Sequence, residues 1–358
     1  MKIRKTILSL FSVFALSSMV SGPVDAASQR QARSAQASKT AKAPQKAPKV
    51  AVQSRAERRL AKATTPKARA VSARERAPVA KAPHRLPAAA ISPELDHDGN
   101  PLLHSAAFVI ADQATGSVLL EKNSEAVLPI ASITKLMTAM VVLDARLSLT
   151  EHLSIAQDDV DTLRNSSSHV PVGTELSRED MLRLALMSSE NRASSALARN
   201  YPGGLPAFVN AMNRKAASLG LRETRFADST GLNSANVSSA RDLVKMVSAA
   251  SRYPLIREFS TTANYMVSLN GRQRQFNNTN ALVSSPDWQI GVSKTGFINE
   301  SGKCLVMQAW LLNKPMIIVL LDSFGRYTRV ADAQRVKRWL ESAAVQQKLA
   351  VASRGPAT

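Results

Sequence analysis

The chain is poor in the residues that hold metals, disulfides or stacked bases. Cys304 is its only cysteine, so no disulfide can form within it, and the apolar, strand-like run around Cys304 marks it as a small buried hydrophobe. The five histidines fall at 84, 97, 104, 152 and 169 without the close pairs that bind zinc. Asp96-His-Asp-Gly-Asn100 has the look of a calcium loop, but its glycine comes two places early and the closing glutamate is missing. A polar turn is expected there, and no metal or cofactor. Aromatic residues make up 4% of the chain, and none is interleaved with the basic N-terminal region, which argues against base stacking and a nucleic-acid partner.

Negative charge is also scarce at one end. Residues 1–26 carry Lys2, Arg4 and Lys5, then an apolar run from Ile7 to Val20, then Val24-Asp25-Ala26. This is the pattern of a secretory signal peptide, and the run is too short to favour a permanent membrane span. No cysteine follows it to carry a lipid. From Ala27 to Pro87 the composition is Ala, Lys, Arg, Pro, Gln and Ser, with 16 basic residues against Glu57 and Glu75, a net charge of +14. Such a segment cannot bury enough apolar surface to fold. As a flexible chain of about 60 residues it spans roughly 40–50 Å. The formal net charge of +20 therefore belongs mostly to a tail, leaving +4 for residues 88–358. The bland reading of the tail is a solvated spacer; the alternative is an electrostatic contact with polyanions. The expected organisation is a signal peptide at 1–26, a disordered basic linker at 27–94, a folded domain at 95–346 and a flexible tail at 347–358.

Within the folded part, Ala106–Ala111 and Ser117–Glu121 read as a hairpin around Asp112–Gly116. Pro129 and small residues then open a helix so apolar, with Leu136, Met137, Met140, Val141 and Leu143, that burial on all sides is expected. Residues 146–176 look polar and irregular. Ser177 caps a helix with acidic residues in its first turn, ending at Ser188-Ser189-Glu190-Asn191. Further helices are expected at Ala193–Asn200, Pro206–Leu219 (stopped by Gly220) and from Ser239 through Val247. From Asn264 the period becomes alternating: Tyr265–Leu269 and Arg272–Phe276 flank the hairpin signal Asn270-Gly271, and Trp288–Lys294, Lys303–Leu312 and Pro315–Asp322 are three more strands. An amphipathic helix from Thr328 to Ala344 closes the domain. This order predicts a sheet built from both chain ends with a helical insert as a second lobe.

Three short motifs carry chemistry. Ser132-Ile-Thr-Lys135 places a hydroxyl and an amine one helical turn apart, and apolar burial, the helix dipole and a second cation would all favour the neutral amine, a base for the serine proton. Ser189-Glu190-Asn191 follows a helix in the insert and brings a second hydroxyl and an amide opposite Lys135. Ser234-Ala-Asn236 and Ser268-Leu-Asn270 share its pattern, but one lacks a helix to aim it and the other sits on a hairpin turn. Lys294-Thr295-Gly296 ends a strand with groups suited to a carboxylate, and Gly296 would let a substrate lie against the strand.

In that order, separated by 57 and 105 residues, these motifs resemble the signature of the penicillin-recognising acyl-serine enzymes. The similarity is greatest to type-7 low-molecular-mass penicillin-binding proteins, D-alanyl-D-alanine endopeptidases, over residues 95–345. It rests also on Lys135-Leu-Met-Thr-Ala-Met-Val-Val-Leu-Asp144, Met187–Asn191, Thr224-Arg-Phe and Lys294-Thr-Gly-Phe-Ile-Asn. The resemblance implies an α+β, transpeptidase-like fold: a five-stranded antiparallel sheet flanked by helices, with an all-helical lobe. It implies Ser132 as acylated nucleophile, Lys135 as base, Ser189 and Asn191 as proton relay and substrate-positioning groups, and Lys294 and Thr295 as the carboxylate site. The oxyanion hole would be the backbone N–H groups of Ser132 and Phe297, and no cofactor is implied. Peptidoglycan cross-links would be the substrate, β-lactams the inhibitors, the periplasm the location, and membrane or wall polyanions the contact of the basic linker.

A D-alanyl-D-alanine carboxypeptidase shares the same active-site residues and differs in substrate length. A class A β-lactamase should add a glutamate to activate the deacylating water, and Arg222-Glu-Thr-Arg225 does not resemble its loop. A non-catalytic wall-binding protein would have no need of an intact Ser132 and Lys135.

Overall fold

The computed structural model describes residues 94–325, 327–342, 345 and 347. The expected signal peptide and nearly all of the basic linker lie outside the described residues, as does the C-terminal tail apart from Gln347. Both chain ends of the described part enter one sheet. β1 (Ser105–Asp112) and β2 (Val118–Lys122) form the expected hairpin, its turn held by the Asp112 carboxylate, which accepts the N–H groups of Ala114 and Thr115. β3 (Gln289–Ile298), β4 (Gly302–Leu311) and β5 (Lys314–Ser323) come from the C-terminal third. The order is β2-β1-β5-β4-β3, antiparallel throughout, so β3 is an edge strand.

Side-chain alternation sorts this sheet into two cores. Val109, Val306, Ile317 and Val319 pack toward the helical lobe. Phe108, Ile110, Leu305 and Ile318 pack on the other face, against Val336, Trp339 and Leu340. Those last three lie on α7 (Thr328–Glu341), which ends at Glu341, before the expected Ala344.

The insert supplies α1 (Thr134–Asp144), α2 (Arg178–Met187), α3 (Asn191–Arg199), α4 (Gly204–Ser218), α5 (Ala240–Ala250) and α6 (Pro254–Ser260). Every residue of α1 from Thr134 to Val142 is buried, as its lack of a polar face requires. Ser177 and Ser239 cap α2 and α5 by accepting the N–H of the third helical residue. The sequence reading omits α6, a seven-residue helix too short to show a period, though Pro254 stands at its start. The segment 146–176, read as irregular, contains a short pairing of His152–Ser154 with Glu175–Ser177 that seats the start of α2. The Asn264–Leu269 and Arg272–Asn277 hairpin turns at Asn270-Gly271, both at positive φ.

Two expectations about the motifs change. β3 does not end at Lys294-Thr-Gly296: pairing with β4 continues through Gly296 opposite Cys304 to Ile298 opposite Gly302. Ser132 does not lie within an α-helix but on a 3₁₀ turn, Ala131–Ile133, that leads into α1. Ala131 has φ 46°, a costly conformation for a residue with a side chain. Two glycines hold this turn. A methyl group on Gly231, itself at φ 85°, would overlap the Ala131 carbonyl oxygen, and one on Gly296 would lie 2.7 Å from the Ile130 carbonyl oxygen and 3.4 Å from the Ser132 nitrogen. Gly296 therefore serves the approach of β3 to the Ser132 turn, a nearer reason for its lack of a side chain than room for a substrate.

The far face is pinned by Asp332 on α7. Its buried carboxylate accepts the N–H groups of His104 and Ser105 and the Ser105 hydroxyl, and it pairs with Arg335 at 2.9 Å. Asp332→Ala leaves the N–H groups of His104 and Ser105 at the head of β1 without their acceptor and is expected to lower the unfolding free energy by roughly 3 kcal/mol, read as a lower urea midpoint at unchanged slope. Gly231→Ala must push the Ser132 turn aside and is expected to cost about 2 kcal/mol in the same measurement. A change below about 0.5 kcal/mol, the size of an ordinary surface substitution, would contradict the packing described for either residue.

Candidate active site

Ser132 stands at the positive end of α1, and Lys135 follows one turn later with its side chain fully buried. The Lys135 Nζ lies 3.0 Å from Ser132 Oγ, 2.8 Å from Asn191 Oδ1 and 2.6 Å from the Thr230 carbonyl oxygen. No carboxylate touches it. Burial lowers its pKa from the ordinary lysine value to about 7, with Asp228 and Glu190, at longer range, pulling the other way. The charged amine donates to all three oxygens. The neutral amine has two N–H bonds for the two oxygens that can only accept, and its lone pair is then directed at the Ser132 hydroxyl.

Asn191 opens α3 and faces the site because Ser189, at φ 64°, reverses the chain after α2. Its amide also donates to Ser166 Oγ at 3.0 Å. Glu190 between them is buried and tethers the loop before α2, accepting the Ser168 hydroxyl at 2.6 Å and the His169 N–H at 3.1 Å. The Ser189 hydroxyl accepts from Lys294 at 2.9 Å rather than bonding Lys135. Lys294, 1% exposed, also donates to the Thr295 carbonyl oxygen. Burial, Lys135 and Arg329 together hold its pKa well below the ordinary value. The second cation expected to lower Lys135 does not figure among the causes of its shift, which is due to burial; the influence runs the other way, from Lys135 onto Lys294. The Thr295 hydroxyl donates to Thr279 Oγ1 at 2.6 Å. Phe297 follows on the edge strand, half exposed, with the Lys303 ammonium 4.0 Å from the centre of its ring.

All eight residues expected at the site therefore fall on three segments that meet: the Ser132 turn and α1, the Ser189–Asn191 bend, and β3. Sequence reasoning missed the loop that closes them from below. The Asp228 carboxylate accepts the N–H groups of Thr230, Gly231 and Asn233, the Thr230 hydroxyl and the Asn236 amide. This fixes Thr230 so that its carbonyl reaches Lys135. Thr138 and Ser194 donate to the neighbouring Ser229 carbonyl at 2.7 Å from α1 and α3. Asn236, read only as part of a misleading Ser-x-Asn, is fully buried; its side chain accepts the N–H groups of Ala227 and Asp228, and its carbonyl accepts from Ile130. The signal was a run of turn-forming residues, Asp228-Ser-Thr-Gly231, with nothing to distinguish it from a surface loop.

Arg329 was missed as well. It lies in the first turn of α7, where amphipathic periodicity marks it only as polar, yet its guanidinium donates to the carbonyl oxygens of Gly296 at 3.1 Å and Cys304 at 3.3 Å. Burial depresses its pKa. Cys304 behaves as expected, buried, with its thiol pushed up to about 11 by that burial.

Comparison with known proteins places this constellation. A sequence profile of the S11 peptidases, described as D-alanyl-D-alanine carboxypeptidase, matches residues 96–325. A D-alanyl-D-alanine endopeptidase of Pseudomonas aeruginosa is 51% identical over 245 residues, 68% of this chain and 79% of that protein. One from Escherichia coli K12 is 48% identical over 247 residues, 68% of this chain and 80% of that protein. Among solved structures, the Streptomyces K15 DD-transpeptidase superimposes with a TM-score of 0.63 at 30% identity, covering 67% of this chain and 98% of the other. With the fold, the motif order and the matched span in agreement, the chain belongs to the S11 family of D-alanyl-D-alanine carboxypeptidases.

Proposed function

We propose that the protein is a serine-type D,D-peptidase that opens D-alanyl peptide cross-links of peptidoglycan through an acyl-serine intermediate and is acylated by β-lactams. The observation that carries this reading is the placement of Lys135 Nζ among Ser132 Oγ, Asn191 Oδ1 and the Thr230 carbonyl. The preference for cross-links over terminal D-alanine is supported by the likeness to two D-alanyl-D-alanine endopeptidases.

Neutral Lys135 takes the Ser132 proton as Oγ attacks the carbonyl of the D-alanine that forms the cross-link. The developing oxyanion is received by the N–H groups of Ser132 and Phe297, a kind of stabilisation worth about 3–4 kcal/mol per donor in comparable sites. Collapse breaks the C–N bond, and the proton held on Lys135 passes to the leaving amine. Water, deprotonated by the same lysine, then releases the acyl group. Lys294 and Thr295, with Arg329 behind the strand, bind the substrate carboxylate, and Ser189, held by Lys294, stands ready to relay a proton. The free edge of β3 receives the extended peptide. Export to the periplasm follows from the signal-like residues 1–26, and the basic linker would contact anionic membrane or wall polymers.

Fluorescent penicillin is expected to label the protein covalently and to leave Ser132→Ala unlabelled; equal labelling of both excludes Ser132 as nucleophile. Incubated with cross-linked peptidoglycan, the enzyme should convert muropeptide dimers to monomers, whereas trimming of terminal D-alanine alone would make it a carboxypeptidase. Below the lowered pKa of about 7, Lys135 holds its proton and cannot accept another. The second-order rate of β-lactam acylation should therefore climb through a midpoint near pH 7 and level off above it, and a flat profile from pH 6 to 9 would remove Lys135 as base.

A further inference from the structure

At the end of the sheet remote from Ser132, three connections converge: the β1–β2 turn, the β4–β5 turn and the junction of α5 with α6. They line an open pocket of about 540 Å³, within the roughly 300–1,000 Å³ typical of small-molecule sites. Its wall is the indole of Trp310, 37% exposed, and its floor is the side chain of Gln308, 2% exposed. The Gln308 Oε1 is buried without a hydrogen-bond partner, a costly arrangement for an amide oxygen beside an open cavity. Gly291 makes room for both groups, since a methyl group there would overlap Gln308 Oε1 and lie 2.7 Å from the indole ring. On the opposite side, the Gln113 amide donates to Ser251 Oγ at 2.8 Å and Arg257 donates to the Ser251 carbonyl at 2.8 Å. Gln113 is itself anchored by its N–H to the Pro315 carbonyl.

No carboxylate lines this cavity, and its one cation is engaged with a backbone carbonyl. The lining is an aromatic plane facing planar amides, a guanidinium and a hydroxyl. That combination fits a neutral ring with an apolar face and a rim of hydroxyl and amide groups, the description of an N-acetylated hexosamine. An acidic or aliphatic ligand would leave the amides of Gln113 and Gln308 poorly used. We propose that this cavity binds an N-acetylhexosamine unit of a glycan strand, so that the enzyme grips its polymeric substrate at a second point, away from the reacting bond. The choice of glycan as the source of the sugar rests on peptidoglycan being the substrate; the binding of the sugar does not.

The test uses the whole protein and N-acetylglucosamine tetramer as probe, with binding followed by calorimetry. Wild type should bind saturably, and Trp310→Ala and Gln113→Ala should each bind about tenfold more weakly or not at all. Both variants should be acylated by penicillin at the wild-type rate, since neither residue is near Ser132, and this also establishes that they are folded. On intact glycan-linked peptidoglycan their turnover should fall, while on soluble cross-linked peptides without sugar it should not. Absence of saturable binding by wild type, or equal binding by wild type and Trp310→Ala, overturns the proposal. Saturable binding that needs Trp310, in a protein that opens no cross-link, would uphold the sugar site and reject the peptidase reading.

Discussion

The structure turns on one buried amine. Removing an ammonium from water is expensive, and proteins usually recover the cost by placing a carboxylate beside it. Here the three atoms within reach of Lys135 Nζ are a hydroxyl, an amide oxygen and a peptide oxygen. The nearby acids are occupied elsewhere: Asp228 with the backbone of its own loop, Glu190 with Ser168 and His169. Had either carboxylate been free to swing onto Nζ, the charged form of Lys135 would have been favoured. Neutral acceptors satisfy the amine without stabilising its proton to the same degree.

The same economy of negative charge extends along β3. Lys294 and Arg329 are held by a hydroxyl and carbonyl oxygens, and neither has a carboxylate partner among the described residues. The wall of the cleft is therefore short of counter-charge until an anion arrives. A carboxylate entering there would meet cations whose pKa values are depressed by burial, that of Lys294 also by Lys135 and Arg329, and would offset that repulsion.

Much of this was legible in the sequence because the relevant signals are local. Ser177 and Ser239 announce helices through capping, Asn270-Gly271 announces a hairpin through its need for positive φ, and the uninterrupted apolar face of α1 announces burial. The three motifs could be found because each is short and their order is informative. The rest depends on contacts between distant segments, which leave no local period. Nothing around Asp228 says that its loop will press a carbonyl onto Lys135, and Arg329 looks like any polar residue on an amphipathic helix. Gly296 signals a need for space, but the neighbour requiring that space is the chain itself. The end of β3 was misjudged because Lys294-Thr-Gly reads as polar and turn-like, whereas pairing with β4 carries the strand past it.

β1 sits between β2 and β5, so one of its two hydrogen-bonded neighbours is the last strand among the described residues. Before β5 docks, the β1–β2 hairpin has an open, strongly apolar edge, Phe108-Val-Ile-Ala111. The pairing has high sequence separation and cannot be replaced by any local contact, which makes closure of the sheet a late and slow event in folding. β3, β4 and β5 pair through short turns, but until β5 docks on β1 this meander has no fixed place beside the hairpin, and the Ser132 turn lacks the strand that Gly296 brings against it. The surroundings of Ser132 are therefore completed late, and a chain that stalls before that point holds an unprotected strand edge.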